Sequence, residues 1–186
     1  MVWRVISSWN YRTDYLHYQS CKQKQLNMTG KKILSFLICL FIPLLIGSFA
    51  GFITRYEVDG TWFNLLKKPS FNPPNWLFGP VWTTLYILMG IGLFLIWNNS
   101  SGEIRKKAVL VFSLQLVLNF CWSVLFFYSK MIFASVIDII LLWICICWMI
   151  FLFKQIKPTA GYLQLPYLAW VSFASVLDIS IWILNR

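Results

Sequence analysis

Apolar positions along this chain gather in five long runs separated by polar stretches. The runs cover roughly residues 33–53, 80–97, 108–127, 132–153 and 163–184, each near the ~20 residues that a spanning helix requires. A lipid core offers backbone groups no water, so each run is expected to be helical. The links at 98–107, 128–130 and 154–161 are short and polar, which makes consecutive helices antiparallel neighbours. The pattern predicts an all-α integral membrane protein, a bundle of five transmembrane helices with a short helix in the first loop.

That first connection, 54–79, is far longer than a helical hairpin needs, and long loops in compact folds are usually functional. Residues 61–68 can form two amphipathic turns with Trp62, Leu65 and Leu66 on one side, after which Pro69, Pro73 and Pro74 hold the chain extended. An interfacial helix resting on lipid and a lid over a bundle cavity fit this pattern equally. Residues 1–30 are polar and aromatic without the apolar core of a secretory signal. They are expected to be a disordered leader or to lie upstream of the true start, since Met28-Thr29-Gly30-Lys31-Lys32 directly precedes the first apolar run. The domain proper is then 31–186.

Composition agrees with this picture. The 186 residues are 59% hydrophobic and 12% charged, about half the charge of a soluble domain, so they cannot cover a water-exposed surface. The net charge of +10 sits in clusters at the ends of apolar runs, such as Lys31–Lys32 and Arg105–Lys106–Lys107, where cations meet headgroups. No nucleic-acid motif accompanies them, and membrane lipid is the expected partner. The excess of cations on the N-terminal side favours a cytoplasmic N-terminus by a small margin. His17 is the only histidine and lies in the leader, which excludes a His-ligated metal or haem in the bundle. The cysteines show neither a CxxC pair nor a zinc spacing.

Polar residues inside spans are costly and therefore informative. Gln115, Asn119, Trp122 and Phe126 follow one helical stripe. The amides can bond a ligand or, more commonly, tie helices together. Asp138 and Asp178 could mark a proton or cation pathway, but no Lys, Arg or His lies within a span core to form a relay. Both are therefore read as structural, either carried neutral in the apolar core or accepting bonds from an indole N–H or a neighbouring helix. Trp82 and Tyr86 are four apart in the second run, and Trp170, Ala174 and Leu177 share a face in the fifth. Trp97 and Trp182 suit interfacial belts, whereas Trp82 and Trp170 are placed to line a cavity for a flat apolar ligand. Gly47 and Gly51 form a GxxxG that permits close helix contact, within or between protomers. No Ser-His-Asp set, phosphate loop or metal cluster appears, so a conventional enzyme is not expected.

Several ordered blocks carry a family resemblance. Trp62-Phe63-Asn64-Leu65-Leu66-Lys67-Lys68-Pro69-Ser70-Phe71-Asn72-Pro73-Pro74, then Gly79-Pro80-Val81-Trp82, Gln115 to Trp122, Asp138, and Pro166-Tyr167-Leu168-Ala169-Trp170 through Ala174 closely resemble the tryptophan-rich sensory protein and translocator protein family, also known as peripheral benzodiazepine receptors. The resemblance covers about Lys32 to Arg186. It implies a five-helix bundle, commonly a homodimer, with a pocket beneath the first loop for porphyrins, haem-related tetrapyrroles, isoquinoline-carboxamide or benzodiazepine drugs and, in animals, cholesterol. No cofactor is implied; a porphyrin would be ligand or substrate. The implied ligand-binding residues are Phe63, Trp82, Tyr86, Asn119, Trp122, Trp170, Ala174 and Leu177, with Trp82 and Trp170 matching the tryptophans of light-dependent porphyrin breakdown in bacterial members. Phe63 stands where many members have Tyr, and Phe71 where many have Trp. Ile179 and Ile183 replace the Tyr and Arg of the animal cholesterol motif, so cholesterol transport is not expected.

Three functions follow in order of expectation. First is a receptor or sensor for porphyrins, second photo-oxidative degradation of protoporphyrin through pocket tryptophans, and third transport of tetrapyrroles or lipid-like metabolites. Short links and the core motifs suggest a bacterial cell membrane.

Overall fold

The structure, a computed structural model, describes residues 3–58 and 60–186, with side chains at 15–25, 27–57 and 60–186. The chain divides into two compact units, residues 1–37 and 38–186. One helix, α1 (Trp3–Val58), supplies the first unit and enters the second. The polar leader of residues 1–30 belongs to the first unit, where the described backbone is helical from Trp3 onward. Its described side chains bond within the helix, as where Gln19 donates to the Tyr15 hydroxyl at 2.9 Å.

The second unit contains the bundle. After α1 come α2 (Thr61–Leu65), α3 (Phe78–Asn99), α4 (Gly102–Ser123), α5 (Ile132–Ile156), α6 (Pro158–Tyr162) and α7 (Leu165–Asn185). Among the described residues, five helical segments are long and apolar enough to cross a membrane, so the chain is a multi-pass integral membrane protein. The α4, α5 and α7 helices pack most extensively, with α5 between the other two. Met89, Phe112, Ile146, Phe153 and Tyr167 form the buried centre. Outward-facing Phe49, Leu110 and Phe151 are exposed, as an exterior bathed in hydrocarbon permits.

The turns are tighter than the polar stretches suggest. Only residues 100 and 101 separate α3 from α4, and Gly102 adopts the left-handed backbone (φ +64°) that glycine allows without steric cost. The expected polar link at 154–161 is largely helical instead: α5 continues to Ile156, and α6 starts at Pro158, where proline's fixed φ and missing N–H suit a first turn. Gln164 fills the corner between α6 and α7, donating from Nε2 to the Leu88 carbonyl at 3.1 Å.

The first loop departs from expectation in its detail. Its helix is one turn long, because Leu66 already has extended backbone (ψ 136°). The buried face is also different. Phe63 is 2% exposed, whereas Leu65, expected on one apolar side with Trp62 and Leu66, is 82% exposed. The cause is a π-helical turn at Val124–Tyr128, which ends the fourth-helix span and turns both Phe126 and Phe127 inward. Phe63 drops against these rings, with centroids 6.3 and 5.8 Å away. Lys68 lies 3.9 Å above the Phe63 ring, and burial holds its ammonium pKa below the usual lysine value. Further along, Asn185 at the end of α7 clasps Lys67, accepting its backbone N–H at 3.0 Å and donating to its carbonyl at 2.9 Å. Phe71 then meets Phe173 edge-on at 6.3 Å. The loop is therefore fastened to the bundle, which favours a lid over a helix resting on lipid.

Small residues set the helix separations. A Cβ at Gly90 would lie 2.7 Å from the Leu40 Cα, so α1 and α3 cross here with backbone nearly touching. A Cβ at Gly51 would meet nothing within 4 Å. Gly90→Ala is thus expected to lower stability by about 1–3 kcal/mol, while Gly51→Ala has little effect. Thermal unfolding of both variants in detergent checks this; equal shifts would contradict the crossing.

Candidate functional site

A cavity of about 690 Å³ lies between the 38–58 segment of α1 and the start of α3. On the α1 side, Leu44, Gly47, Ser48, Gly51 and Thr54 recur at helical spacing and present mostly small side chains. On the α3 side, the wall is aromatic: Trp82 and Tyr86 stack with centroids 5.6 Å apart and planes 27° from parallel. Glycine at 47 is required by this wall, since a Cβ there would stand 2.1 Å from the Tyr86 ring. The GxxxG of the first span therefore works within the protomer at Gly47, while Gly51 helps to open the cavity.

Behind the wall runs a buried hydrogen-bond ladder. The Tyr86 hydroxyl donates to Asn119 Oδ1 at 2.5 Å. Asn119 Nδ2 donates to the Tyr167 hydroxyl at 3.2 Å, and that hydroxyl donates to Gln115 Oε1 at 2.9 Å. Gln115 Nε2 ends the series 4.0 Å from the Met89 sulfur. Three helices, α3, α4 and α7, are thereby joined by groups that have no water to turn to. Between the ligand and tie readings of the amides, this geometry favours the tie.

A second polar knot orients Trp122. Its indole Nε1 donates to Asp178 Oδ2 at 3.0 Å, and Ser135 Oγ donates to Asp178 Oδ1 at 3.1 Å. Asp178 thus accepts an indole N–H, one of its two expected structural uses. Trp122 stacks on Phe126 at 5.8 Å and reaches Trp82 at 6.5 Å, which links the cavity wall to the ring cluster under the lid. Asp138 is buried on α5, with its Oδ2 lacking a hydrogen-bond partner among the described residues.

The implied site residues fall in four places. Trp82 and Tyr86 line the cavity, and Asn119 and Trp122 support that wall from behind. Phe63 belongs to the lid's anchor, one ring removed from Trp122 through Phe126. Trp170 lies elsewhere, on a groove of about 590 Å³ formed with Pro80, Leu88 and Phe173 on the other face of α3. Ala174 and Leu177 are buried on α7 and do not line the α1–α3 cavity. The sequence offered Tyr167 only as part of a family block, with no role, and did not point to Ser135 or Gln164. The available signal was polar atoms at span positions with a partner helix to satisfy, which one sequence does not pair.

Comparison with known proteins gives one family. A model of the TspO/MBR family matches residues 39–183. The chain is 43% identical over 155 residues to the tryptophan-rich protein TspO of Archaeoglobus fulgidus, covering 82% of this chain and 98% of that protein. Against the tryptophan-rich protein TspO of Chlorobaculum tepidum the identity is 40% over 160 residues, with coverage of 84% and 99%. The human translocator protein is 35% identical over 140 residues, 74% of this chain and 82% of that one.

The ladder makes a graded prediction. Tyr86→Phe removes one donor and is expected to cost about 0.6 kcal/mol, typical of a hydrogen bond within a membrane. Asn119→Leu strands both tyrosine contacts and should cost more, about 1–3 kcal/mol. Denaturation of both variants in mixed micelles checks the order, and a larger loss for Tyr86→Phe would contradict the ladder.

Proposed function

The chain belongs to the TspO/MBR family, and from that premise we propose that it is a membrane receptor for porphyrins and related tetrapyrroles. Isoquinoline-carboxamide and benzodiazepine-type ligands would use the same aromatic site. The observation that carries this reading is the stacked Trp82–Tyr86 wall beside a cavity of about 690 Å³. Flat apolar ligands gain from offset or edge contacts with such rings. The wall is held in place by the Asn119 bond to Tyr86 and by the small residues opposite. Ligand pockets of this volume usually combine an apolar lining with few polar groups, as this one does.

Photo-oxidative degradation of protoporphyrin is the second reading, and one contact favours it. Trp82 on the wall lies 6.5 Å from Trp122, so an indole oxidised by an excited ligand has a second indole beside it. Transport ranks third. In our reading the protein acts as a homodimer. We read its membrane as a bacterial cell membrane; the greater identity to the two prokaryotic relatives than to the human one supports the prokaryotic part of that reading.

Dark titration of the purified protein with protoporphyrin tests the receptor, with illumination afterwards to test the photochemistry. Trp82→Ala should weaken dark binding roughly tenfold, whereas Trp170→Ala, in the other groove, should leave it unchanged. Trp82→Phe should retain most binding and lose bleaching if the second reading holds. Absence of saturable binding, or loss confined to Trp170→Ala, would overturn the assignment to this cavity.

A further inference from the structure

The same α1 stripe that lines the cavity ends in a cation. Leu44, Gly47, Ser48, Gly51, Thr54 and Arg55 all contribute to the lining. From Leu44 to Arg55 the helix rises about 16 Å, so the cavity is long and changes character along its length. Its inner end holds buried Tyr86 and Ser123; its outer end holds exposed Arg55 and Trp76. An apolar, aromatic body fits the first part. The second part presents a guanidinium.

Other cations on this side of the bundle are differently disposed. Lys130 lies 3.5 Å from the Glu57 carboxylate and 5.6 Å from the Trp62 ring centre. Lys68 covers Phe63, and Arg186 lies over Trp182 at 5.7 Å. None of these lines the cavity. Arg55 does, and it makes no ion pair among the described residues. Glu57, the nearby acid, is already opposite Lys130. Arginine is suited to a carboxylate, which it can hold through two parallel N–H bonds.

Resting on the reading of this cavity as a tetrapyrrole site, we propose that Arg55 selects ligands whose flat apolar body carries a carboxylate, pairing with that acid at the cavity mouth. The ligand's rings lie against Trp82 and Tyr86, and its acid arm points outward along α1. Neutral ligands of the same shape gain the ring contacts and not the ion pair. Arg55 is then a specificity residue rather than a source of general affinity.

The test compares protoporphyrin with its dimethyl ester, which keeps the macrocycle and removes both acids. Purified protein in neutral detergent is titrated in the dark by tryptophan fluorescence, for the unmodified chain, Arg55→Gln and Arg55→Lys. The unmodified chain should bind the diacid more tightly than the ester, and added salt should narrow the gap. Arg55→Gln should weaken the diacid about tenfold and leave the ester unchanged, with Arg55→Lys between the two. Equal weakening of both ligands, or no change in either, would overturn the role of Arg55 while leaving the tetrapyrrole site standing. If the unmodified chain binds neither form, the reading of the cavity itself fails. Thermal unfolding of Arg55→Gln verifies that the variant is folded.

Discussion

Inside a bilayer a polar side chain must find its partner within the protein, and the Tyr86–Asn119–Tyr167–Gln115 ladder is where this bundle meets that requirement. Apolar packing by itself gives membrane helices little preference for one rotation over another, since lipid is as apolar as leucine. The ladder removes that freedom. Asn119 uses its oxygen toward α3 and its nitrogen toward α7, so a rotation of α4 about its axis would strand both tyrosines. The knot of Trp122, Asp178 and Ser135 adds α5 to the same frame. Aromatic positions along the cavity follow from this polar frame rather than from ring packing.

Close approach is the second constraint, and glycine supplies it at chosen points. Gly90 admits the α1 backbone, Gly47 admits the Tyr86 ring, and Gly92 admits the Gln164 amide, where a Cβ would lie only 2.3 Å from Nε2. Each gap accommodates a different object: a helix, an aromatic face, a polar corner. With Tyr86 recessed against Gly47 and its hydroxyl engaged, the ring cannot swing into the cavity without losing its bond to Asn119. The cavity is pre-formed for that reason.

Much of the architecture was legible in the sequence because it depends on length and hydropathy. The five runs foretold the spans, and the long first connection with its prolines foretold a separate structure between the first two. The polar stripe on the fourth helix pointed to Gln115 and Asn119, and the expected indole bond to a span carboxylate is the one between Trp122 and Asp178. Other features were not legible because they depend on helix phase and on pairing between distant residues. Trp82 and Trp170 were expected to share a cavity, yet α3 turns Trp82 toward α1 and presents Pro80 and Leu88 to Trp170. The π-helical turn at Val124–Tyr128 keeps Phe126 on the expected stripe beside Trp122 but brings Phe127 inward as well, and with it changes the residue of the loop that is buried. No periodicity in a lone sequence announces that shift.

The lid and the cavity wall meet through these same rings, which has a mechanical consequence. Phe63 packs on Phe126, Phe126 stacks on Trp122, and Trp122 faces Trp82. Aromatic contacts of this kind are worth about 0.5–1.5 kcal/mol each, enough to bias the loop and too little to lock it. The clasp between Lys67 and Asn185 involves exposed groups that water can replace. Lifting the loop would break these contacts and expose the buried Phe63, while leaving the ladder untouched. A ligand in the cavity would touch Trp82, whose other neighbours lead to Phe63, so occupancy and lid position share one set of rings. The polar frame sets the helix rotations, and the aromatic layer joins that frame to the loop.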